Sequence, residues 1–247
     1  MSISEPAVHF CEVEKNYGRQ QVLSGVDLTI HEGDYLGLVG VNGAGKTTLI
    51  KCLLDFSRAG SGSIKIYSLP STDYRARERL AYLPEKFLAP YYLTGREFLE
   101  YTLRLYQVPR IEEEILAMAA VLDMDTDSLD REARKYSKGM SQKLGLAACL
   151  LSNRDLFVMD EPMSGLDPRA RASLKRHLLE LKSQGKTLFF STHLLSDVEA
   201  LCDKVAILHE GQVRFLGSPA DCCARFETED FEQAYLKCVG DKLATSN

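Results

Sequence analysis

Apolar residues follow two spacings along much of the chain, and together these indicate a mixed α/β fold. Alternating apolar and polar positions at residues 8–13, 26–30 and 64–67 predict half-buried strands of a small antiparallel sheet. Continuous, largely apolar runs at residues 156–159 and 187–191 predict strands buried on both faces, as in a parallel sheet. The combination predicts an open α/β sheet with a smaller antiparallel sheet beside it.

A helical spacing replaces both patterns in the middle of the chain. It appears first in Phe98, Leu99, Tyr101, Thr102 and Leu105, and then in Ile111, Ile115, Met118, Ala119 and Leu122. No strand pattern interrupts this region, so we expect a helical insert within the α/β chain. We therefore predict one domain, residues 1–247, made of a core (1–89 and 153–225), a helical subdomain (90–152) and a short C-terminal helix with a tail (226–247).

A glycine-rich stretch at residues 40–48 lies between a predicted strand at 35–39 and a predicted helix at 49–54. Strand, glycine loop and helix in this order are typical of a P-loop, which binds nucleotide phosphates. Glycines let backbone N–H groups turn inward around a phosphate, Lys46 can reach the terminal phosphates, and the Thr47 hydroxyl can ligate Mg²⁺. The predicted phosphate-binding residues are Gly40, Asn42, Gly43, Ala44, Gly45, Lys46, Thr47 and Thr48.

Polar residues also follow the two predicted buried strands. Asp160 and Glu161 come directly after one strand, and His193 follows the other. Carboxyl ends of parallel strands are where open α/β sheets collect their ligands. Because side chains alternate along a strand, we expect Asp160 to face a magnesium ion and Glu161 to face the attacking water. We expect His193 to hydrogen-bond the γ-phosphate and that water.

One aromatic residue, Tyr17, lies on a polar turn at residues 15–19, between the first two predicted strands. A ring beside a phosphate loop can stack on a purine base, which contributes about 1–3 kcal/mol. Taken alone, an aromatic residue such as Tyr17 is more often a plain packing residue. Its place near the P-loop favours base stacking.

Composition and charge exclude several classes of protein. With 45% apolar and 26% charged residues and a net charge of -5, the chain has an ordinary globular composition and no overall basic character, so no nucleic-acid partner is expected. It shows no signal-peptide pattern at its start and no apolar run of the roughly 18 residues that a membrane span requires, so we expect it in the cytoplasm. Seven cysteines lack metal-ligand spacing and are expected to be free and buried, with a redox role for Cys222 and Cys223 as the alternative.

These motifs, in this order, resemble the nucleotide-binding subunit of an ATP-binding cassette (ABC) transporter, over residues 8–219. Tyr17 matches the family's adenine-stacking aromatic, residues 40–48 its Walker A motif, and Asp160 with Glu161 its Walker B aspartate and catalytic glutamate. Residues 164–167, ending in Asp167, match the D-loop, and His193 matches the switch histidine. The resemblance implies a P-loop ATPase that uses ATP and Mg²⁺.

The segment at residues 136–142, which we call the signature segment, matches the family's Leu-Ser-Gly-Gly-Gln motif in part. Ser137 and Gly139 are kept, whereas Lys138 and Met140 are substitutions. The resemblance implies that Ser137, Gly139 and Asp167 contact a nucleotide bound by a facing subunit, either a second copy of this chain or a paralogue. ATP would then hold two cassettes together head to tail.

Glu85 stands where many family members carry glutamine. A carboxylate there can ligate Mg²⁺ or face the membrane partner, and both possibilities stay open. Together with the signature segment, residues 82–85 are similar to a branch that serves exporters through a separately encoded transmembrane permease. The apolar and aromatic residues 87–93 are then expected to receive a short helix of that permease, with core packing as the alternative.

The resemblance places the chain on the cytoplasmic face of a membrane, held there by its permease. Two alternatives belong to other functional classes. One is a soluble ABC protein that acts on ribosomes or nucleic acid, and the other is a subunit that binds nucleotide without hydrolysing it. A single cassette without a heptad run disfavours the first, and the presence of Glu161 and His193 disfavours the second.

Overall fold

The computed structural model describes residues 6–240, so the predicted tail at 241–247 lies outside the described residues. The strands are β1 Pro6–Tyr17, β2 Gln20–His31, β3 Tyr35–Val39, β4 Ser61–Ile66, β5 Leu69–Pro70, β6 Leu80–Leu83, β7 Leu156–Asp160, β8 Thr187–Thr192, β9 Lys204–His209 and β10 Gln212–Gly217. The helices are α1 Lys46–Leu53, α2 Gly95–Leu105, α3 Glu112–Val121, α4 Lys138–Leu150, α5 Pro168–Ser183, α6 Leu195–Leu201, α7 Pro219–Arg225 and α8 Phe231–Val239.

Two sheets form the α/β part of the structure. An antiparallel sheet has the strand order β2-β1-β4-β5. A second sheet has the order β10-β9-β3-β8-β7-β6, and every neighbouring pair in it is parallel except β10 with β9. The P-loop strand β3 therefore lies beside β8, and β8 lies beside β7. This order brings the ends of the three strands that carry candidate chemistry to one edge.

The central strands β3, β7 and β8 of the second sheet are buried on both faces, as the apolar runs of β7 and β8 predict. Phe157 and Phe190 pack against the helices α2 to α5 on one face. Val158 and Phe189 pack on the other face against α1 and the antiparallel sheet. Side chains of one strand alternate between two cores, which is why β7 and β8 show no polar alternation in the sequence.

Helices α2, α3 and α4 lie between β6 and β7, and within residues 84–155 the structure has no strand beyond an isolated bridge between Thr94 and Glu132. The predicted apolar face of α2 is partly wrong, because Phe98 and Leu99 are buried whereas Tyr101 and Leu105 are exposed. We propose residues 90–152 as a helical subdomain on these grounds. No helix within residues 6–240 has the length and apolar character needed to cross a membrane.

A third, smaller core joins α6, α7 and α8 to β9 and β10. Cys222 on α7 is buried in it, and all seven cysteines are free. Burial raises the pKa of the Cys222 thiol to about 12, so it stays protonated and unreactive. This disfavours a redox pair with Cys223. The expectation of burial is wrong for four of the seven thiols, because only Cys52, Cys149 and Cys222 are buried and the others are partly exposed.

Candidate nucleotide-binding site

A cleft of about 550 Å³, here called the P-loop cavity, opens at the carboxyl ends of β3 and β7. It is lined by Tyr17, Val22, Asn42, Gly43, Gly45, Lys46, Thr47, Thr48, Glu85, Asp160, Glu161, Ser164 and His193. The sequence predicts all of these as site residues except Val22 and Ser164. The structure therefore brings the candidate phosphate, metal and catalytic residues of one chain into a single cavity.

The backbone of residues 40–45 requires glycine at three positions, for two different reasons. Gly43 has φ 87° and Gly45, the residue before α1, has φ 110°, and other residues rarely adopt such positive values. Gly40 has room for no side chain, because a Cβ there would lie 2.3 Å from the Leu208 carbonyl oxygen. Gly40 and the buried Ala44 do not line the cavity and instead fix the path of the loop.

Lys46 is folded back onto this loop and is only 7% exposed. Its Nζ donates a hydrogen bond to the Gly40 carbonyl oxygen at 2.6 Å. Burial lowers the pKa of Lys46, and the carboxylates of Glu161, Asp160 and Glu85 partly oppose that shift. A second, longer hydrogen bond of 3.4 Å goes from Lys46 Nζ to the Val41 carbonyl oxygen. A cation held only by neutral carbonyls can exchange them for phosphate oxygens.

Asp160 ends β7 with its side chain almost fully buried, at 1% exposure. Its Oδ1 accepts a hydrogen bond from the Ser191 hydroxyl at 2.5 Å, whereas its buried Oδ2 has no hydrogen-bond partner in the described part of the chain. A buried carboxylate oxygen without a partner is costly unless it meets a cation or a donor.

A magnesium ion fits this arrangement. Mg²⁺ prefers oxygen ligands and is typically bound through one or two protein groups together with substrate phosphates. Asp160 and the Thr47 hydroxyl supply such oxygens in the cavity, and Glu85 lies at its wall. Within residues 6–240 no group of three or more His, Cys, Asp or Glu side chains is arranged to hold a metal ion.

Glu161 and His193 form a hydrogen-bonded pair in the cavity, with 2.8 Å between Glu161 Oε2 and His193 Nδ1. Because a carboxylate only accepts, Nδ1 is the donor. Glu161 has φ 51°, a left-handed backbone conformation, so the strand alternation on which the predicted divergence of the two acids rests does not hold at this residue. The two acids have different partners, Ser191 for Asp160 and His193 for Glu161.

Tyr17 lies at the rim of the cavity and is about half exposed. Its hydroxyl is 3.2 Å from Ser57 Oγ, and Lys15 Nζ lies 4.9 Å from the ring centroid. The hydroxyl contact and the cation restrain the ring. Glu85 reaches the cavity from the exposed turn that follows β6.

Ser137, Gly139 and Asp167 do not line the P-loop cavity. Ser137 caps α4 by accepting a hydrogen bond from the Met140 N–H. A Cβ on Gly139 would lie 3.0 Å from the Gly165 carbonyl oxygen, so the start of α4 packs closely on the loop before α5. Asp167, the residue before α5, forms a salt bridge with Lys143 on α4, with 3.0 Å between Lys143 Nζ and Asp167 Oδ2.

Three further residues contribute to the cavity or its floor without a strong sequence signal. Val22 belongs to β2, and no local pattern distinguishes it. Ser164 lies in the stretch that resembles the D-loop, so the sequence indicated this region but did not indicate Ser164 as a cavity residue. In the sequence, nothing distinguishes Ser191 from the other residues of its buried strand. Only its hydrogen bond to Asp160 shows that it contacts a cavity residue.

Fold and cavity together define a nucleotide-binding domain of the P-loop α/β class. The chain belongs to the ABC transporter family, whose model matches residues 23–164.

Individual relatives agree with this assignment. An uncharacterised ABC transporter ATP-binding protein from Synechocystis is 41% identical over 202 residues, which cover 81% of this chain and 57% of the relative. Nod factor export ATP-binding protein I from Burkholderia orbicola is 31% identical over 88% of this chain and 72% of its own length. This chain thus spans little more than half of the Synechocystis relative.

A solved structure described as the ATP-binding subunit of an ABC transporter superposes with a TM-score of 0.84 at 29% identity, covering 94% of this chain and 99% of that one. The family resemblance and the predicted α/β fold class, a P-loop core with an antiparallel sheet and inserted helices, are confirmed.

Proposed function

We propose that this chain binds ATP with Mg²⁺ and hydrolyses it, as the ATP-binding subunit of an ABC transporter that powers export through a separate transmembrane permease. The observation that carries this proposal is the P-loop cavity itself. It combines a phosphate-binding loop, a buried aspartate with one free oxygen and a glutamate hydrogen-bonded to a histidine. These are the three parts that phosphoryl transfer to water requires.

Binding begins at the loop. Lys46 exchanges the Gly40 carbonyl for β- and γ-phosphate oxygens, and the N–H groups at the start of α1 cradle the phosphates. Tyr17 stacks on the adenine at the rim. Thr47 and Asp160, with Glu85 nearby, would hold Mg²⁺, which when bound neutralises phosphate charge.

Glu161 is the group that accepts the proton of the attacking water. Its carboxylate is held in place by His193 Nδ1 and by the left-handed turn of its own backbone. With Nδ1 donating to Glu161, the other ring nitrogen of His193 donates to the γ-phosphate only when the imidazole is protonated, and in the neutral form it accepts a hydrogen bond from the water. A proton acceptor positioned in this way contributes about 10²- to 10⁴-fold to a rate.

The signature segment closes a second nucleotide site in a facing cassette. Ser137 and Gly139 lie at the start of α4, outside the cavity of their own chain, where N–H groups at a helix start attract an anion. Asp167 lies beside them, on the loop that packs against α4. The facing cassette is a second copy of this chain or a paralogue.

The permease docks on the surface that begins directly after Glu85. A groove of about 350 Å³ there is lined partly by Phe87 and Leu88, and the nearby Tyr91 and Tyr92 are exposed. Exposed aromatic rings beside an apolar groove suit a short helix from a partner. Occupation of this groove holds the chain at the cytoplasmic face. The export direction is supported by the name of the Burkholderia relative.

An ATP-binding experiment tests the proposal. Lys46→Ala removes the buried loop cation and is expected to abolish ATP binding and hydrolysis by the full chain. Lys51→Ala, an exposed position on the same helix, is the control and should leave both unchanged. Equal ATP binding by the wild type and Lys46→Ala would contradict the proposed site. Cross-linkers at positions 87 and 91 that capture no membrane protein in cells would contradict the docking surface.

A further inference from the structure

One buried hydroxyl connects the two acids of the P-loop cavity. Ser191 on β8 is directly opposite Asp160 on β7 in the strand register, and its side chain is 0% exposed. Its Oγ is 2.5 Å from Asp160 Oδ1 and 3.0 Å from the Glu161 backbone nitrogen. The same Glu161 N–H also reaches the Ser191 carbonyl oxygen at 3.2 Å.

The chemistry of these groups fixes the direction of both hydrogen bonds. A carboxylate oxygen only accepts and a backbone N–H only donates. The single proton of the Ser191 hydroxyl must therefore go to Asp160, and a lone pair of the same oxygen receives the Glu161 N–H. One oxygen thus restrains the carboxylate of Asp160 and the backbone turn that directs Glu161.

The consequence for Asp160 is a choice between its two oxygens. With Oδ1 held by Ser191, the carboxylate cannot rotate without breaking a charge-assisted hydrogen bond, and such bonds are short and strong. Oδ2 is left without a hydrogen-bond partner among the described residues. The free oxygen is therefore kept available on a side chain that lines the cavity.

We infer that Ser191 is a positioning residue. Its one hydroxyl orients the Asp160 carboxylate for Mg²⁺ and holds the backbone that directs Glu161 toward water. The inference rests on the proposed function, because it assigns Ser191 to the same site. Groups that hydrogen-bond metal ligands typically change metal affinity by about 10- to 100-fold when they are removed. Ser191→Ala should produce a loss of this size.

The experiment measures binding of the non-hydrolysable analogue adenylyl imidodiphosphate to the full chain, once with Mg²⁺ and once with a chelator. The wild type should gain affinity with Mg²⁺. Ser191→Ala should bind the analogue within about twofold of the wild type in chelator, and its Mg²⁺-dependent gain should be smaller by about 10-fold or more. Ser191→Thr, which keeps a hydroxyl, should recover most of the gain.

Thr187→Val provides a matched control. Thr187 is buried on the same strand at the end away from the cavity, and its hydroxyl accepts a hydrogen bond from the Gly33 N–H at 2.9 Å. The Val variant therefore loses a buried hydroxyl of β8 with no contact to Asp160, and it should keep the full Mg²⁺-dependent gain. Thermal unfolding without ligand checks that both variants are folded.

Two results would overturn the inference while the proposed function stands. One is an unchanged Mg²⁺-dependent gain in Ser191→Ala, and the other is an equal loss in Thr187→Val. A wild-type chain that binds the analogue equally well with and without Mg²⁺ would instead count against the proposed function.

Discussion

The P-loop cavity and the start of α4 differ in how much of their chemistry is completed within one chain. In the cavity, Lys46, Asp160 and Glu161 each have a partner inside the chain: the Gly40 carbonyl, Ser191 and His193. At the start of α4, Ser137 makes only its own helix cap and the neighbouring Lys138 is exposed. The cavity holds most of the groups of one binding site, whereas Ser137 and Gly139 at the start of α4 do not line that cavity.

Under the proposed function, this difference leads us to expect that a single chain hydrolyses ATP poorly. The cavity would supply the phosphate, metal and water-activating groups for one nucleotide, and the start of α4 would supply donors for another. The two regions are nevertheless linked. Lys143 joins α4 to Asp167 at the start of α5, and Lys175 on α5 joins Asp197 on α6, the helix that follows His193.

The largest effect is expected inside the cavity. Glu161→Gln keeps the size of the side chain but removes the proton acceptor, so turnover should fall by about 10²- to 10⁴-fold while ATP binding is retained. Steady-state phosphate release measures turnover, and Glu199→Gln at an exposed position on α6 is the control. Turnover within a few-fold of the wild type would remove Glu161 from the base role.

The connection between the two regions is expected to govern stability. Lys175 Nζ lies 2.7 Å from Asp197 Oδ1, and Asp197 is fully buried. Lys175→Met leaves an uncompensated buried carboxylate and should lower the free energy of unfolding by about 3–5 kcal/mol. Lys204→Met breaks a more exposed pair with Asp34 and should cost at most about 1 kcal/mol. Urea unfolding compares the two, and equal losses would argue against a structural link through Lys175.

A smaller effect is expected at the start of α4. Ser137→Ala removes a hydroxyl proposed to meet the phosphate of the facing cassette, and a hydrogen bond to a charged group contributes about 1.5–3 kcal/mol. Turnover should fall by about 10- to 100-fold, whereas ATP binding to the chain's own cavity should not change. Ser196→Ala, at an exposed position on α6 outside the signature segment, is the control. Weakened ATP binding in isolated Ser137→Ala chains would place Ser137 in its own cavity and contradict the division between the regions.

The smallest effect concerns Asp167 and pH. The Ala170 N–H and the Lys143 ammonium lower the pKa of Asp167 from 3.8 to about 2. Because the folded-state pKa is below the ordinary value, the charged form stabilises the fold above pH 4, and this contribution is lost as the pH falls towards 2. The wild type should therefore have a higher free energy of unfolding than Asp167→Asn by a constant amount from pH 5 to 7, and this difference should become smaller below pH 4. A difference that widens on acidification would show that another group dominates.

Local patterns predicted most of the architecture and the cavity. The runs at residues 156–159 and 187–191 predict β7 and β8 because strands buried on both faces need continuous apolar sequence. The glycine-rich sequence predicts where the phosphate-binding loop lies, because Gly45 needs a left-handed backbone and Gly40 has no space for a side chain. In each case the physical requirement falls on consecutive residues.

Features that depend on pairs of distant residues were not predicted. The contact of Asp160 with Ser191 joins positions 31 residues apart, and only the register of β7 with β8 reveals it. Helix α6 has seven residues, too few for a periodic pattern. The exposure of Tyr101 and Leu105 follows from which side of α2 the neighbouring helices cover, and helical spacing alone does not determine that.

The central claim is that ATP joins two cassettes, with the cavity of one closed by the start of α4 of the other. Light scattering of the Glu161→Gln chain with ATP and Mg²⁺ tests this most directly. We expect twice the mass of one cassette with ATP, and one cassette when ADP replaces ATP or when Lys46→Ala is added. A Glu161→Gln chain that binds ATP and Mg²⁺ yet keeps the mass of one cassette would contradict the account.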